Sequence, residues 1–155
     1  MQLSPSGPIK VLVIHGPNLN LLGRREPDVY GSVTFYELNE LIVQEGKRIG
    51  CEVRIEQSNH EGVLIDQIHD ARDWADAIVI NAGAYTHTSI AIADALRAVR
   101  LPTIEVHLSN VHSREAYRHV SYLAAAVTGQ ISGFGPHSYL LAVNAAKRLV
   151  EEGRF

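Results

Sequence analysis

The chain has 155 residues, enough for one well-buried domain and short for two, so 1–155 is expected to be a single domain. Hydrophobic residues at 46% and charged residues at 20% exclude a disordered chain. The net charge of -3, with Lys10, Lys47 and Lys147 scattered, forms no basic stripe and excludes a general nucleic-acid binder.

Residues 1–8 carry no charged-then-apolar signal pattern and are expected to be a flexible N-terminal segment. The apolar run Ile9 to Ile14, cut off by Gly16-Pro17-Asn18, predicts a buried parallel strand. Thr34 followed by Glu37 predicts a capping box, with Leu38, Leu41, Ile42 and Ile49 on one helix face and Gly50 as the stop. Cys51 is the only cysteine, which excludes an internal disulfide and suits a reducing, cytoplasmic setting. A second strand is predicted over 52–55, a helix from Val63 to Trp74 and a third strand from Ala77 to Ile80. Thr88 to Val99 predicts a helix, Thr103 to Val106 a fourth strand after Pro102, and Val127 to Ser132 a weaker fifth. Tyr139 to Val150 closes the chain as a helix. This alternation predicts an α/β fold, a parallel sheet covered on both faces. No apolar run approaches the roughly 18 residues needed to cross a bilayer, so no membrane partner is expected.

In open α/β sheets ligands bind beyond the carboxyl ends of the strands, which singles out three loops. The first, Gly16 to Gly31, is long enough for a lid or binding loop and holds Arg24, Arg25 and Tyr30. A phenol has a pKa of about 10, and lowering it by two units takes roughly 2.7 kcal/mol in favour of the phenolate. One guanidinium about 4 Å away supplies around 4 kcal/mol at an effective dielectric of 20, before desolvation takes its share. The second loop, Asn81 to Ser89, offers His87, a Gly-containing turn and the aliphatic hydroxyls of Thr86, Thr88 and Ser89, one of which should cap the following helix. The third, Glu105 to Arg114, places Glu105 and His107 on the same side of a strand, where a carboxylate can orient an imidazole and raise its pKa. Amides of Leu108 and Ser109 could receive a carboxylate, and Arg114 and Arg118 would share a face if their segment is helical. His107 and His112, five apart, fit no zinc motif, and no metal site is expected.

Four stretches together resemble type II 3-dehydroquinate dehydratase: the first loop from Gly16 to Gly31, QSNHEG at 57–62, INAGAYTHTS at 80–89 and EVHLSNVHSRE at 105–115. The similarity runs from Lys10 to Leu149 in one register. The resemblance implies a flavodoxin-like three-layer sandwich with five parallel strands in the order 2-1-3-4-5. It implies a lyase that converts 3-dehydroquinate to 3-dehydroshikimate through an enolate, with no cofactor. By position, Tyr30 would be the base, Arg25 the residue that lowers its pKa, and Asn18 a holder of the water that stabilises the enolate. His107 would be the acid, oriented by Glu105. Asn81, His87 and Arg118 would bind substrate hydroxyls, and the Leu108 and Ser109 amides its carboxylate. Asp94 would reach a neighbouring subunit's site in a homo-oligomer, a dodecamer of four trimers. His15 stands where the family often has another polar residue. None of the three lysines sits at a strand's carboxyl end, which disfavours the Schiff-base route of the type I enzyme.

Overall fold

The computed structural model describes residues 7–24 and 26–153, without the side chains of Pro27 and Tyr30. Five parallel strands, β1 (Ile9–His15), β2 (Cys51–Gln57), β3 (Ala77–Asn81), β4 (Thr103–His107) and β5 (Gly129–Ser132), form one sheet in the order β2-β1-β3-β4-β5. This is the flavodoxin-like order expected. Between them lie α1 (Pro27–Tyr30), α2 (Phe35–Ile49), α3 (Glu61–Ala71), α4 (Ile90–Val99) and, last, α5 (His137–Glu152).

Strand alternation divides the core into two layers. Val11, Val13, Val79, Ile104 and Val106 face one side and pack with Leu38 and Ile42 of α2 and Ala142, Val143 and Ala146 of α5. Leu12, Ile14, Ile78 and Ile80 face the other, against Leu64 and Ile68 of α3 and Ile92 and Leu96 of α4. The same alternation decides where the polar strand ends point. His15 continues the Val11, Val13 series and meets α5 through Tyr139, while Glu105 lies between Ile104 and Val106 and so points to the opposite face. Among the described residues no helix is long and apolar enough to cross a membrane.

The helix ends show where local signals held and where they did not. Thr34 Oγ1 accepts from the Glu37 amide at 3.1 Å, which is half of the expected capping box. Gly50 stops α2 with φ of 81°, in the left-handed region where a Cβ is strained. The helix expected from Thr88 starts at Ile90, because residues Gly83–His87 close into a 3-10 turn first. Ser89 is the hydroxyl that caps it, accepting from Ile92 N at 2.9 Å. The segment of Arg114 and Arg118 is not α-helical: Arg114 is extended between two 3-10 turns, Val111–Ser113 and Ala116–Arg118. The condition for a shared helix face is therefore not met, and the segment forms a folded strap. Hydrogen bonds from Tyr122 N to Thr86 O and between His87 Nδ1 and Val120 O tie this strap to the turn after β3.

Candidate active site

One pocket lies at the carboxyl ends of β1, β3 and β4. Asn18, Asn81, His87, His107, Leu108, Ser109, Arg114 and Arg118 all line it. The three loops singled out in the sequence thus converge on one cleft, although their residues lie up to a hundred positions apart.

The convergence depends on close backbone contact. Gly16 N donates to Asn81 O at 2.7 Å, and a Cβ on Gly16 would lie 2.4 Å from Ala82 backbone atoms. Only glycine lets the loops after β1 and β3 approach this closely. Two residues on, Asn18 takes a left-handed conformation, φ 68°, which asparagine tolerates better than most residues. Its amide donates to Asn59 Oδ1 at 3.0 Å. Gln57 Nε2 holds Gly16 O at 3.2 Å and Asn59 Oδ1 at 3.2 Å, while Tyr85 Oη donates to Asn59 O at 3.0 Å. The QSNHEG stretch therefore works as a bracket for the first loop, a role that its composition alone left unassigned. Leu19 and Leu22 are buried, so the loop is pinned to the core through residue 22. Arg25 and the side chain of Tyr30 lie outside the described residues.

Glu105 and His107 form the charged centre. Glu105 Oε2 lies 2.6 Å from His107 Nε2, with the carboxylate 1% and the imidazole residue 8% exposed. Glu105 Oε1 accepts from Ser121 Oγ at 2.7 Å and from Gln130 Nε2 at 3.2 Å. Burial works to raise the Glu105 pKa, but the bond and charge of His107, with Ser121 and Gln130, outweigh it and hold the carboxyl below its ordinary range. The carboxylate is thereby kept as an anion behind the ring. With Nε2 engaged, Nδ1 is the His107 nitrogen available to a bound molecule. Ser121 and Gln130, 16 and 25 positions from Glu105, are functional partners that sequence reasoning missed. At His87, Nδ1 lies 2.8 Å from Val120 O; a carbonyl only accepts, so this nitrogen donates a proton to it.

A second buried array flanks the pocket. Asn81 Nδ2 donates to Tyr139 Oη at 2.9 Å, and Asn81 Oδ1 accepts from Gly83 N at 3.1 Å. Tyr139 Oη lies 3.0 Å from His15 Nδ1, and His15 Nε2 lies 2.9 Å from Asn39 Oδ1. Burial pushes the His15 pKa down from 6.5 to about 4, against the opposing pull of the Asn39 bond. The unfolded chain therefore takes up this proton near 6.5 and the folded chain only near 4, so stability present above 6.5 is lost as pH falls between the two. From pH 7 to pH 5 the loss expected from His15 is about 2 kcal/mol. Urea unfolding at the two pH values should show it, and His15→Gln should flatten the difference. Equal pH sensitivity in parent and variant would refute the buried neutral ring.

Asp94 is placed elsewhere. It is exposed on α4, paired with Arg97 at 3.5 Å, and it does not line the pocket of its own chain. Lys10 opens β1, and Lys47 and Lys147 lie on α2 and α5; none lines the pocket. Among the described residues no group of three His, Cys, Asp or Glu side chains is arranged to hold a metal ion.

A parallel α/β sheet with a carboxylate-backed imidazole and two carboxamides in the pocket beyond its strand ends is the architecture of a small-molecule enzyme. The chain matches the family model described as Dehydroquinase class II over residues 9–147, and it belongs to that family. It is 61% identical over 137 residues to the 3-dehydroquinate dehydratase of Dictyoglomus turgidum, covering 88% of this chain and 94% of that relative. Identity to the 3-dehydroquinate dehydratase of Trichodesmium erythraeum is 58% over 135 residues, 87% of this chain and 90% of the relative. The crystal structure of type II dehydroquinase from Butyrivibrio crossotus superposes with a TM-score of 0.88 at 47% identity, covering 90% of this chain and 97% of that one.

Proposed function

We propose that this chain is a 3-dehydroquinate dehydratase that eliminates water through an enolate, with Tyr30 as base and His107 as acid. The observation that carries the reading is the buried Glu105–His107 pair opening into the same pocket as Asn18, Asn81 and the Leu108–Ser109 segment. Tyr30 takes the proton beside the ketone, and the C–H electron pair moves into the enolate. Arg25 holds the phenol in its anionic form by charge. Asn18 steadies the water that hydrogen-bonds the enolate oxygen. The electrons then return, the C–O bond beside the new double bond breaks, and His107 gives the departing hydroxyl its proton, so that one water leaves. Asn81, His87 and Arg118 bind hydroxyls, and Leu108 and Ser109 present amides to the carboxylate. Arg114 stands at the same wall. The absence of a lysine from the pocket wall favours this route over a Schiff base.

The exposed position of Asp94 suits a residue that serves a neighbouring subunit, and the same reading takes the assembly to be a dodecamer of four trimers acting in the cytoplasm. Purified protein given 3-dehydroquinate should develop the ultraviolet absorbance of a conjugated enone, unchanged by added chelator. Saturable binding without that absorbance would identify a binding module instead.

A further inference from the structure

We propose that Tyr139, His15 and Asn39 are positioning residues that fix the orientation of the Asn81 carboxamide toward substrate. The inference rests on the reading above, in which this pocket takes 3-dehydroquinate.

The four side chains form a hydrogen-bond chain with one consistent direction. Gly83 N can only donate, so the Asn81 atom facing it at 3.1 Å is the oxygen. The Asn81 nitrogen therefore faces Tyr139 and donates to its hydroxyl oxygen at 2.9 Å. The Tyr139 hydroxyl hydrogen then goes to His15 Nδ1, at 3.0 Å. That nitrogen must carry the lone pair, so the proton of the neutral ring sits on Nε2 and is donated to Asn39 Oδ1 at 2.9 Å. Tyr139 and His15 are fully buried, and no alternative polarity leaves every group paired.

The elements explain why these residues meet. His15 and Asn81 are register partners at the carboxyl ends of β1 and β3, and both point to the layer of α2 and α5. Asn39 comes from α2 and Tyr139 from the first turn of α5. The hydrogen-bond chain thus anchors a pocket carboxamide to two helices that contribute no residue to the pocket lining. A free carboxamide can rotate to present either its oxygen or its nitrogen. One held at both atoms keeps a single N–H and a single lone pair facing the pocket, and so discriminates among hydroxyl arrangements.

The test is a double-mutant cycle on the full chain, after the parent has been shown to turn over 3-dehydroquinate. Tyr139→Phe should raise KM about tenfold with kcat within about threefold, the signature of a weakened substrate hydrogen bond rather than lost chemistry. In an Asn81→Ala background the same change should raise KM by less than about twofold, because Tyr139 acts only through Asn81. A Tyr139→Phe protein of lowered Tm and unaltered KM, or one whose KM effect persists in full without the Asn81 carboxamide, would overturn the proposal. Should Tyr139→Phe not fold, Asn39→Leu at the half-buried end replaces it. A KM raised about threefold at parental kcat, together with loss of the His15 Nε2–H resonance, supports the chain, and an unchanged KM overturns it. A parent without turnover would instead overturn the reading on which the inference rests, before any variant is made.

Discussion

The Tyr30→Phe protein should bind 3-dehydroquinate within about threefold of the parent and turn it over about a thousandfold more slowly, or worse. Phenylalanine keeps the ring and removes only the oxygen that accepts the proton. An unperturbed phenol, with a pKa of about 10, is protonated at neutral pH and makes a poor base. The role asks for a neighbouring cation, and one guanidinium at about 4 Å offers around 4 kcal/mol against the roughly 2.7 kcal/mol that a two-unit shift requires. Steady-state rates give the loss of turnover, and equilibrium dialysis gives the retained binding. Turnover within tenfold of the parent would remove Tyr30 from the role of base. Weakened binding with proportionate loss of rate would make it a substrate contact.

His107→Ala should lower kcat by a factor on the order of a hundred to a thousand, the range of one general acid. The loss should fall on departure of the hydroxyl, since the base on the first loop remains. A substrate analogue with a better leaving group needs less help from an acid and should recover part of the rate. The variant also leaves Glu105 without its strongest partner, so its carboxyl loses the bond that most opposes burial. Single-turnover rates for both substrates measure the effect. An equal deficit with each leaving group would argue that His107 acts in binding or packing.

Much of this arrangement was legible in the residues themselves. The apolar runs marked all five strands, and strand alternation alone placed Glu105 beside His107. The motif stretches carried the loops into one pocket. What could not be read were pairings set by tertiary contact. Tyr139 is 124 positions from His15 and 58 from Asn81, and nothing in its helical periodicity separates it from an ordinary core tyrosine. Ser121 and Gln130 reach Glu105 only because a strap and a neighbouring strand fold behind it. That strap defeated helical reasoning at Arg114 and Arg118. Their four-residue spacing mimics a helix face, yet both reach the pocket wall from 3-10 and extended backbone.

The contact at Gly16 has a practical consequence for anyone redesigning this pocket. With Ala82 backbone 2.4 Å from where a methyl group would sit, the segments bearing the two asparagines behave as a single machined part. Grafting either segment alone from a relative of different curvature would splay both. Altered specificity is better sought by exchanging the two together, or by changing side chains on the strap across the cleft.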